Sequence, residues 1–298
     1  MRKKGKSQLK KVLKNKSVVI WGDGAVGRGL AVALSGNLEV FLAGPAGSGR
    51  GRSAITAFGA LRGNAVVEKI ESGDNVHCDY CILALKAYDL NLAADAAMKS
   101  TDGQCICLSN GMGLETEWGD SWRDRVEPAV LTAGFFLQDK GLIEVTEGDL
   151  IVSAGREAEH IFSESFLNVV PTEKIETVRW AKWLTNSVLN PLGALSGLRN
   201  NQLLKAGLGA AAEQLFTELS RVVPAGIRND AVEKAGKMLS FLFESSSNRC
   251  SMLQDIIAGR KTEIEFLTGL YKKRLRRRCP AAAVVTDMIK ARASQLYL

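Results

Sequence analysis

The first strongly apolar stretch of the chain constrains its fold more than any other. SVVIW (17–21) is a short β-branched run of the kind that forms a buried strand. It leads at once into Gly22-x-Gly24-x-x-Gly27, and the small and apolar residues that follow, to Gly36, suit a tightly packed helix. In a strand–turn–helix of this kind the first glycine makes the tight turn. The second lets the backbone approach a pyrophosphate, and the third lets helix and strand pack closely. Phosphates at the helix N-terminus meet unpaired N–H groups and the favourable end of the helix dipole. Alone the motif is weak; between a strand and a helix it is a dinucleotide fingerprint. It assigns Gly22, Asp23, Gly24, Ala25, Val26 and Gly27 to cofactor binding.

The elements that follow fit the same architecture. LEVFLAG (38–44) reads as a second strand running into PAGSGRGRS, a loop of Gly, Ser and Arg. Further strands are expected at DYCILALK and QCICLSN, with a helical stretch near Leu90–Lys99 between them. Such alternation implies right-handed crossovers and a mainly parallel sheet. Residues 130–153 carry several short strand patterns with tight turns between them, which predicts an antiparallel section. Composition shifts near Pro171, and from Glu173 the pattern is helical almost to the end, punctuated by Pro191, Pro224 and Pro280. The expected organisation is a basic tail over 1–16, an α/β dinucleotide-binding domain over 17–170 and an all-α domain over 171–298.

A dinucleotide site that prefers NADH usually places Asp or Glu about 20 residues beyond the glycines, at the end of the second strand. This chain has Ala43-Gly44-Pro45 there, and Arg50 and Arg52 follow within the loop. Two guanidiniums and no carboxylate favour a 2′-phosphate, hence NADPH (NADP+). In the helical half, Lys182, Asn186 and Asn190 recur at i, i+4 and i+8 in AKWLTNSVLNPL, so they share one helix face. An ammonium and two carboxamides are costly to bury on so apolar a helix unless a polar ligand pairs with them. A second constellation, Asn248, Ser251, Asp255, Gly259 and Glu263, falls within an arc of roughly 120° if read as one helix.

The net charge of +7 belongs to the tail. Arg2, Lys3, Lys4, Lys6, Lys10, Lys11, Lys14 and Lys16 leave a nearly neutral body, which argues against a nucleic-acid binder. The basic run KKRLRRR (272–278) is expected to be a solvated helix end, with Leu270, Tyr271 and Leu275 on its apolar side. No apolar run is long enough to span a membrane, and no apolar segment of a secretory signal follows the tail. Cys78-x-x-Cys81 and Cys105-x-Cys107 both sit in strand patterns, and the chain has only two histidines. No metal site is therefore expected, and the cysteines fit a reduced, cytoplasmic enzyme.

Taken in order, the glycine motif, LALKAYD, Asn110-Gly111-Met112-Gly113, K-W-x3-N-x3-N-P-L and S-M-L-Q-D followed by T-E-I-E resemble the ketopantoate reductase (2-dehydropantoate 2-reductase) family. The resemblance runs from about Ser17 to about Lys290. It implies a Rossmann-type dinucleotide-binding domain plus an all-α domain, and NADPH-dependent reduction of a small 2-oxo acid, ketopantoate, to (R)-pantoate in pantothenate biosynthesis. It also implies Lys182 as catalytic acid and Glu263 as the carboxylate that holds the substrate hydroxyl. Asn110, Asn186, Asn190, Asn200, Asn248 and Ser251 become substrate-binding residues, and Lys86 and Asn110 cofactor-side residues. A homodimer is compatible with it. Where family members often carry an Arg soon after the second strand, this chain has Pro45. The alternatives are a reductase of another 2-oxo acid with this architecture, and a non-catalytic nucleotide-sensing or partner-binding relative.

Overall fold

The computed structural model describes residues 16–114, 120–138, 141–162, 165–274 and 278–294. The basic tail therefore lies, apart from Lys16, outside the described residues, as does Leu275 of the basic run. The chain divides into two compact units, Met1–Ser109 with Glu115–Ile175, and Asn110–Leu114 with Glu176–Leu298.

In the first unit the β-branched run forms β1 (Ser17–Trp21), and after the glycine turn α1 (Ala25–Leu34) leads to β2 (Glu39–Gly44). A hairpin of β3 (Gly51–Gly59) and β4 (Gly63–Glu71) precedes β5 (Tyr80–Leu83), α2 (Leu90–Lys99) and β6 (Cys105–Cys107). Then come α3 (Asp120–Arg125), β7 (Val126–Pro128), β8 (Val130–Leu131), β9 (Phe135–Leu137), β10 (Leu142–Val145) and β11 (Asp149–Ser153). The unit closes with α4 (Glu157–Phe162) and β12 (Asn168–Thr172). The large sheet runs β7-β6-β5-β1-β2-β4-β3-β10-β9. From β7 to β4 every pairing is parallel. The strand order reverses at β1, with β2 and β4 on one side and β5, β6 and β7 on the other. This is the topological switch point at which an open α/β sheet places a ligand site, outside the carboxyl ends of its strands. The strands carry fully buried Val18, Val19, Ile20, Leu42, Ile82 and Ile106, as a sheet covered on both faces requires.

Two parts of this unit depart from the sequence expectation. The loop expected after β2 gives way to a strand at Gly51, and β3 pairs with β4 from Gly51↔Lys69 to Ala57↔Gly63. The section over 130–153 holds the expected antiparallel pairs, β9 with β10 and β8 with β11, but they belong to different sheets. β10 joins β3 in parallel, whereas β11 joins β12 in parallel within a separate sheet ordered β12-β11-β8. Alternation of apolar residues marks a strand without naming its partner.

The second unit is all-α among its described residues: α5 (Ile175–Ser196), α6 (Gly209–Ser220), α7 (Arg228–Ser245), α8 (Ser251–Ile257), α9 (Tyr271–Arg274) and α10 (Pro280–Ser294), joined by 3₁₀ turns. Pro191 does not punctuate; it lies inside α5. A proline there removes one helical hydrogen bond. Burial of Trp183, Leu184, Val188 and Leu192 keeps the helix continuous across it. Pro280 opens α10, a position where its missing N–H costs nothing. The next two amides, of Ala281 and Ala282, donate to the buried Glu218 carboxylate at 3.1 Å each, so a side chain of α6 caps α10. No helix among the described residues is long and apolar enough to cross a membrane.

One buried carboxyl gives the first unit a measurable pH signature. Glu127 on β7 is 3% exposed and accepts a hydrogen bond from the Ala158 amide at 3.2 Å. Burial pushes its pKa from 4.5 up to about 7, against the opposing pull of that amide and of Arg156. A folded-state pKa above the unfolded one means that the native state holds the proton more tightly. Stability therefore falls as pH rises from about 4.5 through about 7, at up to ~1.4 kcal/mol per unit. Glu127→Gln keeps an acceptor for Ala158 and cannot ionise. Its stability relative to the unmutated protein, from urea melts at a series of pH values, should increase through this window and level off above it. A difference that does not vary with pH would show that Glu127 does not titrate there.

Candidate active site

The glycine turn is shaped by close contacts on two sides and room on the third. Gly22 has φ +123°, and an added Cβ would stand 2.5 Å from the Ala84 carbonyl oxygen. A Cβ on Gly27 would stand 1.8 Å from the Gly22 oxygen, so α1 packs on the turn as only glycine allows. Gly24, exposed, has nothing within 4 Å of its Cβ position. It is the N-cap of α1; no side chain caps the helix and no acidic residue stands in its first turn. The helix start thus retains main-chain donors that no side chain caps. A phosphate-bearing dinucleotide fits this cradle. β1, β5 and β6 also end here: Ala84 N–H donates to Trp21 O at 2.8 Å, Leu108 N–H to Leu83 O at 2.9 Å and Ser109 Oγ to Leu85 O at 2.7 Å. Lys86, part-buried, follows β5 at its carboxyl end.

At the end of β2 the structure brings together residues the sequence did not connect. Asp23, within the glycine motif, pairs through Oδ1 with Arg28 Nε and through Oδ2 with Lys69 Nζ, each at 2.7 Å. Lys69 also donates to Ser48 O at 2.9 Å. Gly49 N–H donates to Glu71 Oε1 at 2.8 Å. Arg50 lies between two carboxylates, 3.0 Å from Glu71 Oε2 and 2.9 Å from Asp74 Oδ1. Arg52 is exposed on β3, opposite Glu68 of β4. The clamp through Lys69 was hidden in the sequence because it depends on the pairing of β4 with β2, which has no local signature.

In the second unit, α5 sets Lys182, Asn186 and Asn190 on one face, as their spacing requires. Lys182 and Asn186 are part-buried and Asn190 is buried. Trp180 and Trp183, both buried, pack edge to face with ring centroids 5.1 Å apart. Burial lowers the Lys182 pKa from 10.5 to about 8, and the Glu263 carboxylate acts in the opposite sense. The structure thus joins Lys182 and Glu263 electrostatically, from elements far apart in the chain. Asn200 and Asn248 also meet: the Asn200 N–H donates to Asn248 O at 3.0 Å, and its Nδ2 to Ser246 Oγ at 3.0 Å. Asn200 Oδ1 and Asn110 Oδ1 are buried without a hydrogen-bond partner. Buried polar atoms are costly in that condition, and both are suited to a polar ligand.

The second constellation is not one helix. α8 ends at Ile257, and Gly259 takes φ +65°. That left-handed turn suits glycine and stops the helix. Asn248 lies before α8, Ser251 is its exposed first residue, and Glu263, 6% exposed, precedes a 3₁₀ turn over Ile264–Phe266. The intervening loop is fastened by Asp255, whose carbonyl accepts from Arg260 N–H at 2.7 Å and whose Oδ1 lies 3.0 Å from Arg260 Nε. All six cysteines are free and buried.

The family model for ketopantoate reductase PanE/ApbA matches residues 18–156, and that for the ketopantoate reductase PanE/ApbA C terminal matches 174–293. The chain belongs to the ketopantoate reductase family. Curated relatives named 2-dehydropantoate 2-reductase include one from Archaeoglobus fulgidus, 28% identical over 86% of this chain and 90% of its own. Another, from Pyrococcus abyssi, is 27% identical over 92% and 97%. Among solved structures, a dimeric ketopantoate reductase from Staphylococcus aureus superposes with a TM-score of 0.76 at 18% identity, covering 94% of this chain and 99% of that one. D-mandelate dehydrogenase with NADH and anilino(oxo)acetate superposes with a TM-score of 0.79 at 21% identity, covering 95% and 100%. The fold is thus the Rossmann-type α/β unit plus all-α unit expected of the family, and the protein is an oxidoreductase of that family.

The pairing of Lys182 with Glu263 can be tested without turnover. Removing the carboxylate charge removes the attraction that holds the ammonium pKa up, so Glu263→Gln should move the Lys182 pKa below about 8. Titration of ¹³C-dimethylated lysines by NMR, with Lys182→Arg for assignment, would read it. An unchanged or raised value would show that the two groups do not interact in solution.

Proposed function

We propose that this oxidoreductase reduces 2-dehydropantoate (ketopantoate) to (R)-pantoate with NADPH, a cytoplasmic step of pantothenate biosynthesis. The observation that carries the reading is Lys182, a desolvated ammonium whose pKa is near 8 and which feels the Glu263 carboxylate. Reduction of a ketone puts negative charge on the carbonyl oxygen. An ammonium with a pKa near the working pH can stabilise that charge and deliver the proton that completes the alcohol. Glu263 accepts a hydrogen bond from the substrate's hydroxyl and so fixes its orientation. Asn110, Asn186, Asn190, Asn200, Asn248 and Ser251 offer amide and hydroxyl groups to the substrate's carboxylate and carbonyl without adding full charges. Gly22, Asp23, Gly24, Ala25, Val26 and Gly27 would hold the cofactor's phosphates, with Lys86 and Asn110 on its nicotinamide side. The bound cofactor supplies the hydride that reaches the keto carbon. Lys182→Ala should fold and bind NADPH while losing turnover at least ~10²-fold. Near-normal turnover at saturating substrate would overturn the assignment.

The preference for NADPH rests on the lack of a carboxylate at Ala43-Gly44-Pro45 and on cations nearby. Arg50 is already matched by Glu71 and Asp74, so Arg52 is the more available of the two. A charge-assisted contact of ~1.5–3 kcal/mol means that Arg52→Gln should weaken NADPH binding more than tenfold and leave NADH binding nearly unchanged. Fluorescence titration with both cofactors decides it, and equal losses would remove Arg52 from phosphate recognition. A homodimer belongs to the same reading, because the Staphylococcus aureus structural neighbour is described as dimeric. A second substrate reading has specific support. The D-mandelate dehydrogenase neighbour was solved with an oxo acid that is not ketopantoate, so another 2-oxo acid is the alternative. A panel of 2-oxo acids in an NADPH oxidation assay separates the two.

A further inference from the structure

One main-chain oxygen gathers three segments of the helical unit. The Phe266 carbonyl accepts the Trp183 indole N–H at 3.2 Å and the Met112 amide N–H at 3.3 Å. Trp183 follows Lys182 directly in α5, and Met112 lies two residues after Asn110. Phe266 itself closes the 3₁₀ turn that begins at Glu263, because its N–H donates to Glu263 O at 3.0 Å. A single hydrogen-bonded turn therefore separates the Glu263 carboxylate from the indole beside Lys182.

We propose that Trp183 is a positioning residue: its indole N–H grips the Phe266 carbonyl and so holds the turn carrying Glu263 against α5 next to Lys182. The inference rests on the reading of Lys182 and Glu263 as proton donor and orienting carboxylate.

Trp183 suits this task better than a plain core residue would. It is 1% exposed and its ring is fixed edge-on against Trp180, so the direction of its one donor is fixed too. A buried indole N–H needs a partner, and the partner here is a main-chain atom of the very turn that ends in Glu263. The turn is confined by a glycine as well. Gly111, at φ +101°, approaches so closely that an added Cβ would stand 2.7 Å from the Phe266 Cβ. Further back, the bonds from Arg260 to Asp255 fix the start of the loop. With both ends of the 260–266 segment tied, the carboxylate has little freedom to drift from the ammonium. Glu263 is the charged group whose field raises the Lys182 pKa, so the state of this tie can be read from Lys182.

The test is a double-mutant cycle of Trp183→Phe with Glu263→Gln, using the full-length protein, NADPH and ketopantoate. Trp183→Phe keeps an aromatic ring and removes the donor, and Met112 still serves the Phe266 carbonyl. Expected are a fall in kcat of about five- to tenfold, the size of one net hydrogen bond, and no change in the NADPH dissociation constant. The alkaline limb of the pH–kcat profile should move to lower pH, because the ammonium loses part of the attraction that keeps it protonated. In the Glu263→Gln background the same substitution should leave both kcat and the limb nearly unmoved. Equal losses in the two backgrounds, or a drop in thermal stability with the limb unmoved, would overturn the proposal and leave Trp183 as core packing. If the Phe variant does not fold, benzothienylalanine at position 183 replaces the indole N–H by sulfur at nearly constant volume, and the same outcomes decide. Failure of the underlying reading is seen separately, as full turnover in Lys182→Ala.

Discussion

An ammonium group taken out of most of its water is the constraint around which the helical unit is arranged. Burial alone favours the neutral amine and pulls the Lys182 pKa down to about 8. It keeps much of its charge at neutral pH because a carboxylate from elsewhere in the chain is brought within its field. That placement depends on a loop with a left-handed glycine at 259, an anchor at Asp255 and a turn hydrogen-bonded to the tryptophan beside the lysine. Removing the lysine would leave Glu263 as a buried carboxylate with less reason to be there. Each group therefore offsets a cost imposed by the other, and the offset is strongest when neither can move.

The first unit meets a related constraint with backbone instead of side chains. Its glycine turn is over-determined on the inner side, where Gly22 and Gly27 admit no Cβ without a clash against main-chain atoms. On the outer side Gly24 meets nothing. A turn built in this way is rigid toward the sheet and open toward a ligand. Its donors are main-chain N–H groups whose direction the fold already fixes, so little has to be ordered when a phosphate arrives.

Much of this was legible in the sequence, and what was not has a physical cause in each case. The strand–glycine–helix unit could be read because its determinants are local: β-branched residues, three glycines and a helical apolar face within twenty residues. Lys182, Asn186 and Asn190 could be placed on one face because α5 continues through Pro191, so the 3.6-residue period holds. The same arithmetic failed for Asn248 to Glu263, because Gly259 reverses the chain between them, and a helical wheel assumes what that glycine prevents. The segment Asn110–Leu114 follows a strand of the sheet in sequence yet belongs to the helical unit. The contacts that hold it there, Met112 to Phe266 and Gly111 against Phe266, join residues more than 150 apart and have no local signature. β3 was hidden by the Gly and Arg residues at its start, which read as loop until the partner strand is known.

The end of β2 shows why residue types near a motif do not settle its chemistry. Two arginines and no acid at Ala43-Gly44-Pro45 read as a site for an extra phosphate. In the fold, Arg50 is drawn down by Glu71 and Asp74, and the acid absent from β2 reappears as Asp23, held by Arg28 and Lys69. Those six side chains carry three charges of each sign, so the cluster at the end of β2 is balanced within itself. A 2′-phosphate arriving there would have to compete with carboxylates already in place, as when any ion pair is broken to make another. A ribose hydroxyl would ask for no such exchange. Of the loop's two arginines Arg50 is engaged in this way, whereas Arg52 stands exposed on β3. The partners of each cation, more than the number of arginines in the loop, thus decide how much charge is left for a ligand.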